Sequence, residues 1–330
     1  MNETSHRLVR PHLDRAAEIG AAFHERAGVR LLDCGVREPG GTEAGLLMAR
    51  AALAGLGEVS VIPPAEAAAA YAGLWDACPW PVVTVASERP VAACLAAQYA
   101  GWKVATSNFF AMASGPIRAA IGREDLFDVI GFRERPAVAV GLLETAALPP
   151  ADVCSSLAAA AGVEPGKLVL LAARTASSAG SLQVVARSLE TALHKLHEVG
   201  FDLSRIVRGR GVAPLPPIPS DDLVAIGRTN DAILYGGFVT LEVTGDDASL
   251  TVIGPRSISG DSPSHGEPFA AVFEKAGRDF YALDPALFAP AVVEFVNLDT
   301  GRRQRFGRLA ADLVARSFAG PAAAGTTPGS

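Results

Sequence analysis

SLQVVARSLETALHKLHEV, residues Ser181–Val199, carries two stripes. Leu182, Val185, Leu189, Ala192, Leu193, Leu196 and Val199 recur at spacings of three and four, so one amphipathic helix with a core-facing seam is expected. At about 100° per residue, Gln183, Arg187, Glu190, His194 and His197 fall on a second arc. A solvated face would satisfy that spacing, and so would a face that carries chemistry. Two features favour chemistry. Two of the six histidines lie on this arc, and Arg187 precedes Glu190 by three positions, the less favourable order for a helix-stabilising ion pair.

Immediately upstream, Lys167–Ala173 is an apolar, β-rich run, and Thr175–Ser181 is a loop of small and hydroxyl residues that enters the helix. A strand, loop and helix in this order point free N–H groups at a ligand. Thr175 and Ser177 are therefore candidate polar contacts, although a serine here can equally cap the helix. Neither GK[ST] nor GxGxxG is present, so the loop is not a nucleotide or dinucleotide fingerprint.

Further out, helix and strand alternate, which implies an α/β layered fold. Helices are expected over His6–Ala27, Thr42–Leu56, Ala65–Cys78, Pro90–Tyr99, Ala151–Ala161 and Pro268–Ala276. Strands are expected over Val29–Asp33, Val59–Pro63, Pro81–Ala86, Lys103–Ser107 and Pro136–Leu143. Ala111–Pro116 reads as a turn whose backbone N–H groups are free, which makes Ser114 and Gly115 candidate contacts. Arg118–Arg135 reads as solvated exterior. Asp221–Arg228 reads as an Asp-capped helix, Thr229–Asp231 as a polar turn with Asn230 available to a ligand, and Ala232–Leu234 as a strand. Two hairpins are expected, Phe238–Val243 with Leu250–Ile253 and Ala291–Leu298 with Arg302–Phe306. Pro214–Pro219 is a rigid linker or a pocket wall. Pro149-Pro150 suggests a soft boundary, giving an N-terminal α/β domain over 1–150, a second over 151–318, and a disordered tail over 319–330.

The 330 residues are 49% hydrophobic with a mean hydropathy of +0.27, enough to fill a large core. No apolar run approaches the ~18 residues of a membrane span, and Met1–His12 is unlike a signal peptide, so a cytoplasmic protein is expected. A net charge of -6 without basic clusters argues against nucleic-acid or membrane partners and for a small molecule. Cys34, Cys78, Cys94 and Cys154 lie far apart with no metal-ligand spacing, so no metal site is expected.

Four runs resemble the methenyltetrahydromethanopterin cyclohydrolase family: Ala93–Lys103 (ACLAAQYAGWK), Glu190–His197 (ETALHKLH), Ala213–Pro217 (APLPP) and Gly227–Gly237 (GRTNDAILYGG). The likeness extends from about Gly28 to Arg308. It implies hydrolysis of the 5,10-methenyl cation of tetrahydromethanopterin, or of its dephospho form, to the 5-formyl compound in one-carbon metabolism. It also implies no metal or redox cofactor, and a homotrimer of two-domain α/β subunits with the pterin in a cleft between the domains. The family's Arg and Glu, three residues apart, fall on Arg187 and Glu190, which meets the reading of the arc. Gln183 and Asn230 join Ser114, Gly115, Thr175 and Ser177 as candidate carrier contacts. Ala113 stands where a glycine is expected from the resemblance. The competing readings are a pterin-binding protein without catalysis and another one-carbon enzyme, such as a formyltransferase or dehydrogenase.

Overall fold

The computed structural model describes residues 1–70 and 78–319. The first of two six-stranded sheets contains β1 (Ala22–Arg26), β2 (Val29–Gly35), β5 (Trp102–Ala105), β6 (Phe110–Ser114), β7 (Ala139–Glu144) and β8 (Leu168–Ala173), in the order β1-β2-β8-β7-β6-β5. The second contains β3 (Glu58–Ile62), β4 (Val82–Ser87), β9 (Ile206–Pro214), β10 (Phe238–Val243), β11 (Val292–Asn297) and β12 (Arg303–Gly307), in the order β12-β11-β10-β9-β4-β3. Each sheet draws strands from both sides of residue 150, so a cut at that position divides both sheets.

The centre of the first sheet is parallel, with β8 between β2 and β7. All six residues of β8 are buried, as a strand covered on both faces requires. Val169, Leu171 and Ala173 pack under the helices Asn2–Leu13 and Thr42–Ala52. Leu168, Leu170 and Ala172 pack under the helix Ala151–Ala161. The four cysteines are buried and unpaired, and Cys34, Cys94 and Cys154 serve as small apolar residues in three different cores. The second sheet buries Val83, Val85, Val239, Leu241, Val293 and Phe295 against the helix Ser188–Glu198. Its other face is charged and bears the pairs Arg208–Glu88, Arg208–Glu242 and Arg303–Glu294.

Several expectations need correction. Asn2–Leu13 is helical, but the rest of the stretch to Ala27 forms a short 3-10 turn and β1. Of the expected Ala65–Cys78 helix, the part to Ala70 is helical, residues 71–77 lie outside the described residues and Cys78 is not helical; the tail beyond Ala319 also lies outside, and Ala319 itself ends the helix Ala311–Ala319. Val91–Gln98 is π-helical. Ala111–Ser114 is strand, and Ala113 pairs regularly with Trp102 and Leu143, so no glycine is needed there. Arg118 is 1% exposed, because its guanidinium bonds both Glu124 oxygens and the carbonyl of Leu95. Leu250–Ile253 lies in the helix Asp247–Ile253, which Asp246 caps through Ser249 N, so the first hairpin does not form. Instead β10 pairs with β9, a strand hidden within a polar stretch, and in parallel with β11. The second hairpin, β11 with β12, forms as expected.

Candidate active site

The stretch expected as one helix is two, Ser178–Val185 and Ser188–Glu198, parted at Ala186 and Arg187. Arg187 has φ -89° and ψ 4°, and its N–H reaches back only three residues, to Val184 O at 2.9 Å. Three neighbours stabilise the break. Gln98 Nε2 donates to the freed Ala186 carbonyl at 3.1 Å. Gly209 and Gly211 of β9 lie beneath the new helix start, and a Cβ on Gly211 would stand 2.5 Å from Ser188 Oγ and 2.9 Å from Leu189 N. The seam nevertheless stays continuous, since Leu182, Val185, Leu189, Ala192, Leu193 and Leu196 are all buried in one core.

The polar arc is not a solvated face. Gln183, Arg187 and Glu190 are 2%, 7% and 6% exposed. The Arg187 guanidinium is held by neutral acceptors: the Gln98 carbonyl through Nη1, and Ser114 Oγ at 3.0 Å and Gln183 Oε1 at 2.9 Å through Nη2. Burial pushes its pKa down, against the attraction of Glu190 and Glu144. Among the described residues Arg187 and Glu190 form no direct ion pair, and the Glu190 carboxyl has no hydrogen-bonding protein partner. Burial raises Glu190 to about 7, opposed by the charges of Arg187 and Arg118. His194, a turn further on, stacks on Tyr99 at 4.3 Å, and burial lowers it to about 4, so it is neutral near pH 7.

Arg187, Glu190 and His194 face a cavity of about 360 Å³. Tyr99, Met112 and Glu144 reach it from the first-sheet side. Thr229 and Asn230 enter from the helix Asp222–Leu234, and Phe280, Leu283 and Phe288 form an apolar wall. The cavity thus combines one buried cation, a carboxyl with a pKa near neutrality, and flat apolar surface, a combination suited to acid–base chemistry on a planar ligand.

The other candidates fall into three groups. Asn230 lines the cavity, but it is helical rather than in a turn, and its Nδ2 already donates to Ile226 O at 2.9 Å. Ser114, Gln183 and Thr175 stand behind the cavity wall in one polar chain with Arg187 and Glu144. Ser177 and Gly115 are structural. Ser177 caps its helix through Gly180 N at 3.0 Å, and the Gly115 N–H is taken by Ala97 O at 2.8 Å. Gly115 is needed because its φ is +94°. The proline-rich stretch Pro214–Pro219 does not border the cavity. Sequence reading missed Glu144, Tyr99 and Gln98. Glu144 ends β7 at the carboxyl edge of the parallel strands, a position where ligands collect in such sheets. Among the described residues no group of three His, Cys, Asp or Glu side chains could hold a metal ion.

The fold and cavity are those of a small-molecule enzyme of mixed α/β build, and residues 1–318 match the family described as Cyclohydrolase (MCH). The chain belongs to the methenyltetrahydromethanopterin cyclohydrolase family. A relative of that name from Methylobacterium sp. (strain 4-46) is 46% identical over 94% of this chain and 95% of its own. Another from Rhodopirellula baltica is 43% identical over 88% and 86%, and one from Methanocella arvoryzae is 38% identical over 96% and 98%.

Proposed function

We propose that the chain catalyses the activity for which its relatives are named, adding water to 5,10-methenyltetrahydromethanopterin to give the 5-formyl compound, in one-carbon metabolism. The observation that carries this reading is Glu190: buried on the cavity wall, without a hydrogen bond to any of the described residues, and with a pKa of about 7. A base for water near neutral pH needs these properties.

In this reading water adds to the methenyl carbon while Glu190 takes one of its protons. The resulting carbinolamine then opens: the bond from carbon to nitrogen-10 breaks, the second O–H bond becomes the formyl C=O, and Glu190 hands its proton to nitrogen-10. One proton is released overall. The reacting carbon goes from cationic to neutral, a change that the fixed charge of Arg187 favours. Arg187 acts chiefly through this charge, its Nη atoms being committed to Gln98, Ser114 and Gln183, while Nε has no protein partner among the described residues. Asn230, with its Oδ1 open to a donor, is assigned to carrier binding. No step calls on a metal or redox group. The family resemblance extends to a homotrimer, which light scattering would register as about three times 34.0 kDa.

The test is loss of methenyl absorbance with purified protein in the presence of chelator. Rapid loss in the wild type that is abolished in Glu190→Gln is expected. Tight carrier binding without turnover would make the chain a binding protein instead.

A further inference from the structure

Arg187 and Glu190 are one helical turn apart, both buried, and oppositely charged, yet they do not pair. Left to themselves, such neighbours would close an ion pair, because a buried carboxylate has few other ways to recover its lost hydration. Something withholds the guanidinium. Gln183 Oε1 and Ser114 Oγ hold Nη2, and the Gln98 carbonyl holds Nη1. Of these acceptors, only the Gln183 amide carries its donor and acceptor on separate atoms, so that a flip would turn the acceptor away from Arg187; the Ser114 hydroxyl oxygen and the Gln98 carbonyl accept as they stand. The orientation of the Gln183 amide is set by Glu144, whose carboxylate oxygens accept only. Gln183 Nε2 lies 3.4 Å from Glu144 Oε2, which turns Oε1 toward Arg187. Glu144 is anchored in turn by Thr175 Oγ1 at 2.5 Å.

We propose that Glu144, acting through Gln183, is a positioning residue that keeps the Arg187 guanidinium off Glu190 and so leaves the Glu190 carboxyl free to bind and activate water. The inference rests on the reading of Glu190 as the base. It gives a role to the chain Thr175–Glu144–Gln183–Arg187, which the proposed reaction does not otherwise use. It also accounts for the charge balance during turnover. When Glu190 takes a proton, Arg187 loses one of the two carboxylates that act on it, and Glu144 remains as the other. The Arg187 side chain therefore keeps the same partners in both halves of the cycle.

The closing experiment compares the pH profile of kcat/KM in wild type, Glu144→Gln, Gln183→Leu and Glu190→Gln, with thermal melts of each. In Glu144→Gln and Gln183→Leu the released guanidinium turns to Glu190. The acid limb then moves about one pH unit lower and the plateau drops about tenfold, as expected for a base weakened by a new ion pair. Glu144→Gln is isosteric and partly exposed, so it reports even where Gln183→Leu fails to fold. An acid limb fixed at the wild-type pH in folded Glu144→Gln overturns this inference, as does a raised KM with an unshifted limb, which would make Glu144 a carrier contact only. Turnover retained in Glu190→Gln would instead overturn the reading of Glu190 itself, wherever the limbs of the other variants lie.

Discussion

At the scale of the residue, Glu190 joins two demands that conflict. Burial that raises its pKa to about 7 makes it a useful base, and the same burial makes its charged form costly. As a base it must be deprotonated, so kcat/KM should rise with pH and level off above about 7, a profile that initial rates between pH 5 and 9 would test. Replacing it with Gln should cost about 10² to 10⁴ in kcat, the usual share of general acid–base catalysis. Stability should move the other way. The folded value lies above the 4.5 of an unburied Glu, so the folded state holds the proton more tightly. The stability this contributes is complete below about pH 4.5 and is lost as the pH rises through about 7. Glu190→Gln, always neutral, should therefore melt above the wild type at pH 8, by the equivalent of up to about 3 kcal/mol, with the gap closing near pH 5. Equal melts at pH 8 would mean that the carboxyl is not desolvated as described. The pair Arg187 and Glu190 was legible because spacing alone puts both on one arc. Glu144 was not, since a lone acid after an apolar run looks like any strand end until the neighbouring strands are known to be parallel.

At the scale of the element, the break at Ala186–Arg187 decides where the arc points, and the period of three and four runs through it undisturbed. The apolar residues on both sides of the break share one core, so hydrophobic spacing reads as one helix. The cause lies in tertiary structure. Gly209 and Gly211 alternate with Arg208 and Arg210 along β9, which puts the glycines under the helix and the arginines on the open face. That Arg-Gly-Arg-Gly pattern lacks the apolar alternation of a strand, which is why β9 was invisible and Phe238–Val243 was given the wrong partner. Likewise Thr229–Asp231 reads as a turn from its composition, but Thr229 Oγ1 and Asn230 Nδ2 turn back onto the helical carbonyls of Ala225 and Ile226, letting polar residues stay inside a helix. Gly211→Ala would drive a methyl into Ser188 Oγ and Leu189 N, so it should destabilise by about 1–3 kcal/mol and lower kcat by shifting Arg187 and Glu190. Gly166→Ala meets nothing closer than 3.9 Å and serves as the control in denaturant melts and rate assays. Full activity in Gly211→Ala would show that the helix start does not need this close approach.

At the scale of the whole molecule, the sequence alternation correctly implied α/β layering but not which strands share a sheet. Neighbouring sequence segments land in different sheets: β3 and β4 leave the first sheet for the second, and the chain returns to the first for β5 to β8 before β9 crosses again. The cavity lies where the two layers meet. Glu144 and Met112 come from strands of the first sheet, Glu190 and His194 from the helix on the second, and Phe280 and Phe288 from the aromatic cluster packed against that helix layer. A ligand filling about 360 Å³ there would touch groups from both layers, adding to the hydrogen bonds by which Arg187 and Gln183 already reach Ser114 and Glu144. Carrier binding should consequently stabilise the layers as one cooperative unit. At a concentration 100 times its Kd, tetrahydromethanopterin should add about 2.7 kcal/mol to the stability of the folded state. Calorimetry should then record a single sharpened transition at higher temperature. A transition that splits, with only one part moving, would place the carrier's contacts in a single layer and remove the cavity from its binding site.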